Sequence, residues 1–331
     1  MTPCSQPIEG DPVADAAQRL APGPVRHVAP GGGGGNNRIY RVELTDGRSF
    51  ALKWYPPRVG DPRDRLGTEW AALSLMAPHL PGMVPATIAR EGDFALYQWM
   101  AGDKLERTDE SDIGAALDFL ARLQELRDRA PAIGLASEAC LSVAEILSQI
   151  DRRAARLSAV EDPVLQEFLT ARFTPMRQRL SRAAPEGDLP PDRRCLSPSD
   201  FGFHNMLRRA DGRLCFVDFE YFGWDDPAKL TADFLLHPGM ALSPSQIAAF
   251  RIGAEKLFGA DPDFTERLRR VLPLYGLRWT LILLNEFLPE RWQARAFAGQ
   301  LQDRDAILEI QLGKAERRLA SLADFCEDLS A

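Results

Sequence analysis

Strand-like alternation of apolar and polar residues dominates roughly the first hundred positions of this chain, and helical spacing takes over from about residue 110, broken by one block of short strands. A chain patterned in this way has a β-rich part followed by a mainly helical part, an α+β organisation rather than an alternating α/β one. Pro30 is followed by Gly31 to Gly35, Asn36 and Asn37, and then Ile39 to Leu44 alternates as a half-buried strand does. Asp46-Gly47 supplies a hairpin turn, and Ser49 to Tyr55 is the return strand. Gly67 to Met76 has helical spacing, and Pro85 to Ala89 and Phe94 to Met100 read as two more strands around the Gly92-Asp93 turn. Asp112 to Ala130, Ser142 to Ala159 and Pro163 to Ala183 are helical in pattern. Leu196 to Phe219 returns to short strands around Asp211-Gly212, and the chain is helical again beyond Pro244. The expected organisation is a terminal tail or short helix over residues 1–20, a small β-rich lobe over 21–100, and a larger, mainly helical lobe over 101–331.

Charge and cysteine content exclude several classes. A formal net charge of -7 argues against nucleic acid as the main partner. The five cysteines are scattered, with no C-x-x-C pair, so neither a disulfide framework nor a zinc site is expected, and a reducing cytoplasm suits them. The start MTPCSQPIEG lacks a basic stretch followed by an apolar run, so no secretory leader is expected. The strongest apolar stretch, Trp279 to Leu284, is far too short to span a bilayer, and no membrane association is expected.

The segment from Ser199 to Glu220 carries the most chemistry. Asp200 stands five positions before Asn205, the Asp211-Gly212 turn follows, and the return strand ends in Asp218-Phe219-Glu220. A tight hairpin brings its two ends together, so Asn205 and Asp218 can share one cation, and hard oxygen donors of this kind suit Mg2+. Asp200, just ahead of the hairpin, can act as a base toward a substrate hydroxyl. Phosphoryl transfer from ATP needs these parts and little else: positioning, metal ions over the phosphates and a carboxylate at the attacking hydroxyl. Singly, Asp and Asn at turns are explained by local hydrogen bonding; the spacing and chain order favour the functional reading.

D-x-x-x-x-N, a hairpin and a later apolar-D-F segment resembles the aminoglycoside phosphotransferase family, whose members share the protein-kinase-like bilobal fold. Asp225-Asp226-Pro227 and Asp233-Phe234-Leu235 occupy the places of the family's later D-P and D-L/F runs. The resemblance implies Asp200 as catalytic base, Asn205 and Asp218 as Mg2+ ligands, and Glu220 as a second contact to metal. It implies a small N-terminal and a larger helical C-terminal lobe, ATP as phosphoryl donor and a small-molecule hydroxyl as acceptor. One departure is plain. The family's H-G-D is Pro198-Ser199-Asp200 here, within the variant loop SPSDFGFHN, which puts loop geometry in question more than reaction type.

The nucleotide side follows the same order. Gly33, Gly34 and Gly35, with Asn37, can bring backbone amides close to phosphates; a glycine run also serves as a linker, but this one lies against a hairpin. The chain lacks the P-loop pattern. Lys53 in Ala51-Leu52-Lys53 stands where a kinase-like lysine grips the α- and β-phosphates, and Glu69, sixteen positions on, is placed to pair with it. Backbone groups from Gln98 to Met100 are the candidates for adenine. His204, Asp226 and Asp233 are expected to be structural. The competing readings are a catalytically silent nucleotide-binding protein and a metal-dependent hydrolase.

Overall fold

The computed structural model describes residues 11–33, 37–57, 61–181, 187–292 and 303–328. Two compact units emerge. The first comprises the chain through Glu106 together with Glu125–Ile133 and Asn205–Phe222; the second comprises Arg107–Gln124, Gly134–His204 and the chain from Gly223 onward.

In the first unit, Asp11 starts helix α1 (Pro12–Leu20) by accepting from the Val13 N–H at 3.0 Å, with Pro12 in the first turn, where its missing N–H costs nothing. Of the tail or short helix expected over 1–20, residues 12–20 are helical and residues 1–10 lie outside the described residues. Val13, Ala16, Ala17 and Leu20 fall at helical spacing and are all buried. They pack on Val42, Leu44, Phe50, Leu52 and Leu96.

Those partners lie on one face of a five-stranded antiparallel sheet of β1 (Val25–Gly33), β2 (Arg38–Leu44), β3 (Ser49–Trp54), β4 (Thr87–Glu91) and β5 (Phe94–Gln98), in spatial order β1-β2-β3-β5-β4. Because side chains alternate along a strand, the opposite face carries Ala51 and Lys53 of β3 with their cross-strand partners Tyr97 and Ala95. Helix α2 (Arg65–Met76) contacts β4 and β5, and its N-cap, Asp64, accepts from the Gly67 N–H at 2.8 Å. The sequence reading omitted β1. Its Pro30 and three glycines look like strand breakers, yet β1 is an edge strand, bonded on one side only, where proline is tolerated as it is not in a central strand. A register shift between Pro30 and Gly32 absorbs the irregularity. The short strand β6 (Asp103–Lys104) pairs with Met206–Arg208, which forms a hairpin with Leu214–Phe216. Gly212 turns that hairpin with a φ of 81°.

In the second unit, helices α3 (Glu110–Gln124) and α4 (Val143–Ser158) accompany Pro227–Leu236, Pro244–Leu257, Phe264–Leu283 and Arg304–Asp328, and the strand Cys195–Ser197 pairs with Gly223–Asp225. Its interior holds an ion network. Lys229, 1% exposed, bridges Asp225 at 2.8 Å and Asp233 at 3.1 Å, and Asp233 also meets Arg278 at 3.3 Å. Lys229 and Asp233 stack at a spacing of four residues on the helix Pro227–Leu236, and Asp225, the last residue of the preceding strand, meets the lysine from the helix start. Asp226 caps the same helix through the Ala228 N–H and pairs with Arg267. Asp226 and Asp233 thus have the structural place expected of them. Among the described residues, no helix is long and apolar enough to cross a membrane.

Gly223 is held where no side chain fits: a Cβ there would lie 2.3 Å from the backbone nitrogen of Ala136. Backbone cannot yield as a flexible side chain can, so Gly223→Ala is expected to destabilise the protein by about 2–3 kcal/mol or more. Urea unfolding of the variant measures this, and an unchanged midpoint would contradict the close approach.

Candidate active site

Lys53 and Glu69 meet on the polar face of the sheet. The ammonium donates to both Glu69 oxygens, at 2.8 Å and 3.0 Å, and to Asp218 Oδ1 at 2.9 Å. Lys53 is 6% exposed and Glu69 1%. Burial alone would lower the lysine pKa, but the Asp218 and Glu69 carboxylates outweigh it and hold Lys53 protonated, well above its ordinary range. Burial is also the main influence on Glu69, raising its pKa against the opposing pull of Lys53. The Glu69 carboxylate accepts additionally from the Tyr55 hydroxyl at 2.5 Å and the Phe219 N–H at 3.3 Å, and Tyr55 shares a 3.2 Å contact with the Tyr97 hydroxyl. Two carboxylates around one ammonium leave this locus with a surplus negative charge.

Asp218 reaches the lysine from the end of the 206–216 hairpin. The Val217 N–H donates to the Asn205 carbonyl at 3.0 Å, so the two ends of the hairpin are joined as the sequence reading expected. Asp218 itself has a φ of 69°, a left-handed conformation uncommon outside glycine and costing about 1–2 kcal/mol. Its side chain stays 29% exposed. Asn205 and Asp218 offer only hard amide and carboxylate oxygens as donors, a set that fits Mg2+ and lacks the nitrogen or sulfur ligands of a zinc site. Two residues on, Glu220 is 2% exposed and its Oε2 accepts from Asn37 Nδ2 at 3.0 Å. That bond ties the residue at the end of the glycine run to the Asp218 segment. Asn37 Oδ1 is buried with no partner among the described residues.

Asp200 belongs to the second unit. It follows Ser199, whose φ is 67°. The position read as the family's glycine is thus left-handed, and here a serine occupies it. The turn is held by Asp200 N–H to the Pro198 carbonyl at 2.9 Å, Ser199 N–H to Ser197 Oγ at 3.0 Å and Ser199 Oγ to the Ser137 carbonyl at 3.3 Å. Asp200 Oδ1 lies 3.1 Å from His204 Nε2. The His204 ring stacks on His237 at 4.2 Å and 12°. Burial lowers the His237 pKa to about 4, so this ring is neutral near neutral pH.

Of the remaining candidates, Gly33 ends β1 opposite Arg38, while Gly34 and Gly35 lie outside the described residues. The Gln98 N–H is engaged by the Ala86 carbonyl at 2.8 Å, and Met100, two residues beyond, is 8% exposed.

The sequence matches the profile of the phosphotransferase enzyme family over residues 27–268. The chain belongs to that family. No curated protein sequence matches it. Among solved structures, choline kinase LicA from Streptococcus pneumoniae superposes with a TM-score of 0.59 at 15% identity, covering 93% of this chain and 98% of that one. Choline kinase from Cryptosporidium parvum gives a TM-score of 0.60 at 10% identity, covering 94% and 95%. Spectinomycin phosphotransferase APH(9)-Ia, solved with ADP and spectinomycin, gives 0.59 at 11% identity, covering 92% and 98%. The kinase-like α+β fold is thus shared with proteins of very different sequence.

Sequence reasoning on this phosphotransferase-family chain missed Tyr55, Tyr97 and His237. Tyr55 carried a signal, since it stands two residues after Lys53 and shares its face of the strand. His237 carried none, because nothing in sequence ties it to His204.

Removing the Glu69 carboxylate leaves a buried ammonium with one partner fewer. Glu69→Ala is expected to cost about 3–5 kcal/mol in urea unfolding, and Glu69→Gln, equally uncharged, nearly as much, less only by the bonds its carbonyl still accepts from Tyr55 and Phe219. A Glu69→Gln protein as stable as wild type would contradict the charge argument. His237 gives a pH signature. Its folded pKa lies below the unfolded value, so the unfolded chain binds the extra proton first and stability falls as pH drops from about 6.5 toward 4. Between about pH 7 and about pH 5 this contributes about 2 kcal/mol of lost stability. His237→Phe, compared with wild type by urea unfolding at both pH values, should lack that component.

Proposed function

We propose that this protein is an ATP-dependent small-molecule kinase that moves the γ-phosphoryl group to a hydroxyl of its acceptor. The observation carrying the reading is the buried Lys53 ammonium gripped by Glu69 on one side and Asp218 on the other, in a chain of the phosphotransferase enzyme family. A lysine so held is oriented in advance, and its charge is available to the α- and β-phosphates. Asn205 and Asp218 are assigned to Mg2+, which when bound supplies charge neutralisation on the phosphate oxygens. The glycine run with Asn37 covers the phosphates, and Glu220, through its bond to Asn37, braces that cover more than it contacts metal. With the Gln98 N–H already engaged, Met100 is the better backbone candidate for adenine.

Asp200 accepts the proton of the acceptor hydroxyl. The new bond joins that oxygen to the γ-phosphorus as the bond to the β,γ-bridging oxygen breaks, and ADP departs carrying the electron pair. Choline, ethanolamine, spectinomycin and gentamicin, named with the structural neighbours, form the first acceptor panel. Choline and ethanolamine join a hydroxyl to a cationic nitrogen, a chemistry that a chain of net charge -7 does not repel.

The test is ADP release across this panel with MgATP, together with nucleotide affinity. Asp200→Asn should cut turnover by about 10²–10⁴-fold while leaving MgATP affinity within about twofold. Asp218→Ala should weaken MgATP binding itself by about tenfold or more, since it loses a metal ligand and a lysine partner. A protein that binds MgATP yet gives no ADP with any acceptor, and whose Asp200→Asn form behaves the same, supports the silent nucleotide-binding reading instead.

A further inference from the structure

The Asp200 carboxylate is one end of a continuous stack in the second unit that the phosphotransferase reading does not use. Asp233, buried between Lys229 and Arg278, accepts from the Trp279 indole N–H at 2.8 Å. Trp279 meets the His237 ring edge-on, with centroids 4.9 Å apart and planes at 80°. His237 stacks on His204, and His204 Nε2 contacts Asp200 Oδ1 at 3.1 Å. Each link fixes the orientation of the next, from a buried ion network to a half-exposed carboxylate.

Two features show that the His204 ring is seated and not merely nearby. A Cβ on Gly202 would lie 2.7 Å from both Cε1 and Nδ1 of His204, so the loop admits the ring there only because residue 202 is glycine. On its other side the ring rests flat on His237, whose Nδ1 accepts the Gly239 N–H at 3.1 Å. That acceptance places the single proton of the neutral His237 ring on Nε2. Asp200, His204 and His237 do bring one ligand atom each within 4.8 Å of one another. A metal-bound histidine, however, usually donates from its second nitrogen, whereas His237 accepts there, so the cluster is built as a hydrogen-bonded support and not as a metal site.

We propose that His204, seated by Gly202 and His237, is a positioning residue that donates to one oxygen of Asp200 and turns the other toward the acceptor hydroxyl. This rests on the reading of Asp200 as base. The Asp200 carboxylate is 39% exposed, and an N–H donor on a fixed ring favours one of the rotamers open to it; a misplacement of about 1 Å at such a group can cost about 10²-fold in rate.

Two measurements test it on the full-length protein. The first needs no acceptor: long-range nitrogen–proton NMR of histidine-labelled protein should show His204 protonated at Nε2, with a signal that moves in Asp200→Asn and in His237→Leu. A His204 signal insensitive to both overturns the proposal. The second measures ADP release from MgATP with water as acceptor. His204→Leu should lower kcat by about 10²-fold with the KM for MgATP within about twofold, and His204→Gln, which keeps a terminal N–H, should recover most of the loss. Asp200→Asn abolishing turnover while His204→Leu leaves it intact overturns the positioning role alone. Unchanged turnover in Asp200→Asn removes the base, and with it the reading on which the positioning role rests.

Discussion

Lys53 cannot be buried unless its charge is answered, and much of the first unit follows from how it is answered. An ammonium at 6% exposure forfeits most of its hydration, and only close carboxylates with good geometry compensate that loss. Glu69 and Asp218 provide them from a helix and from a hairpin distant in sequence. The register of β3 is what makes this work. Leu52 and Phe50 face α1 while Ala51 and Lys53 face the other way, so a slip of one residue would put the ammonium among apolar side chains. The apolar packing of α1 therefore specifies where the lysine points as firmly as the ion pair does.

A second constraint operates around Asp200. Ser199 and Asp218 both adopt left-handed backbone without being glycine, and each lies at or beside a residue assigned to the chemistry. Strain of this kind persists only where surrounding bonds over-determine it. Ser199 has three such bonds about its turn, and Asp218 has the Lys53 pair and the joined hairpin ends. Behind Asp200 stands the network of Asp225, Lys229, Asp233 and Arg278, which accounts for the acidic motifs after the hairpin as scaffold.

The division between β-rich and helical parts was legible because hydrophobic period is a local property of the chain. The hairpin whose ends meet at Asn205 and Val217 was legible because an Asp-Gly turn fixes short-range geometry, and the Lys53–Glu69 pairing because a kinase-like lysine on this strand calls for a carboxylate on the next helix. Strand β1 was hidden because Pro30 and its glycines break a central strand but not an edge strand. The second partner of Lys53, the Asn37–Glu220 bond and the His204–His237 stack join residues far apart in sequence. No periodicity reports such contacts, since they exist only once the chain is folded. Ser199 was read as a departure from a motif, and its backbone angle shows what the departure demands: a serine in a conformation that glycine adopts without strain.

The direct bond between Lys53 and Asp218 bears on how the two ligands of the proposed reaction arrive. The groups assigned to nucleotide phosphates and to cation satisfy one another in this structure. A polyphosphate arriving alone draws on Lys53 and leaves Asp218 and Glu69 as two carboxylates facing added negative charge. A divalent ion arriving alone draws on Asp218 and sets its charge against a buried ammonium. Brought together, the two ligands cancel each other's cost: the ion answers the carboxylate and the phosphates answer the lysine. Under the proposed reaction, the same three side chains would thus meet the ion and the phosphates together, each partner of the present Lys53–Asp218 bond passing to a ligand of opposite charge.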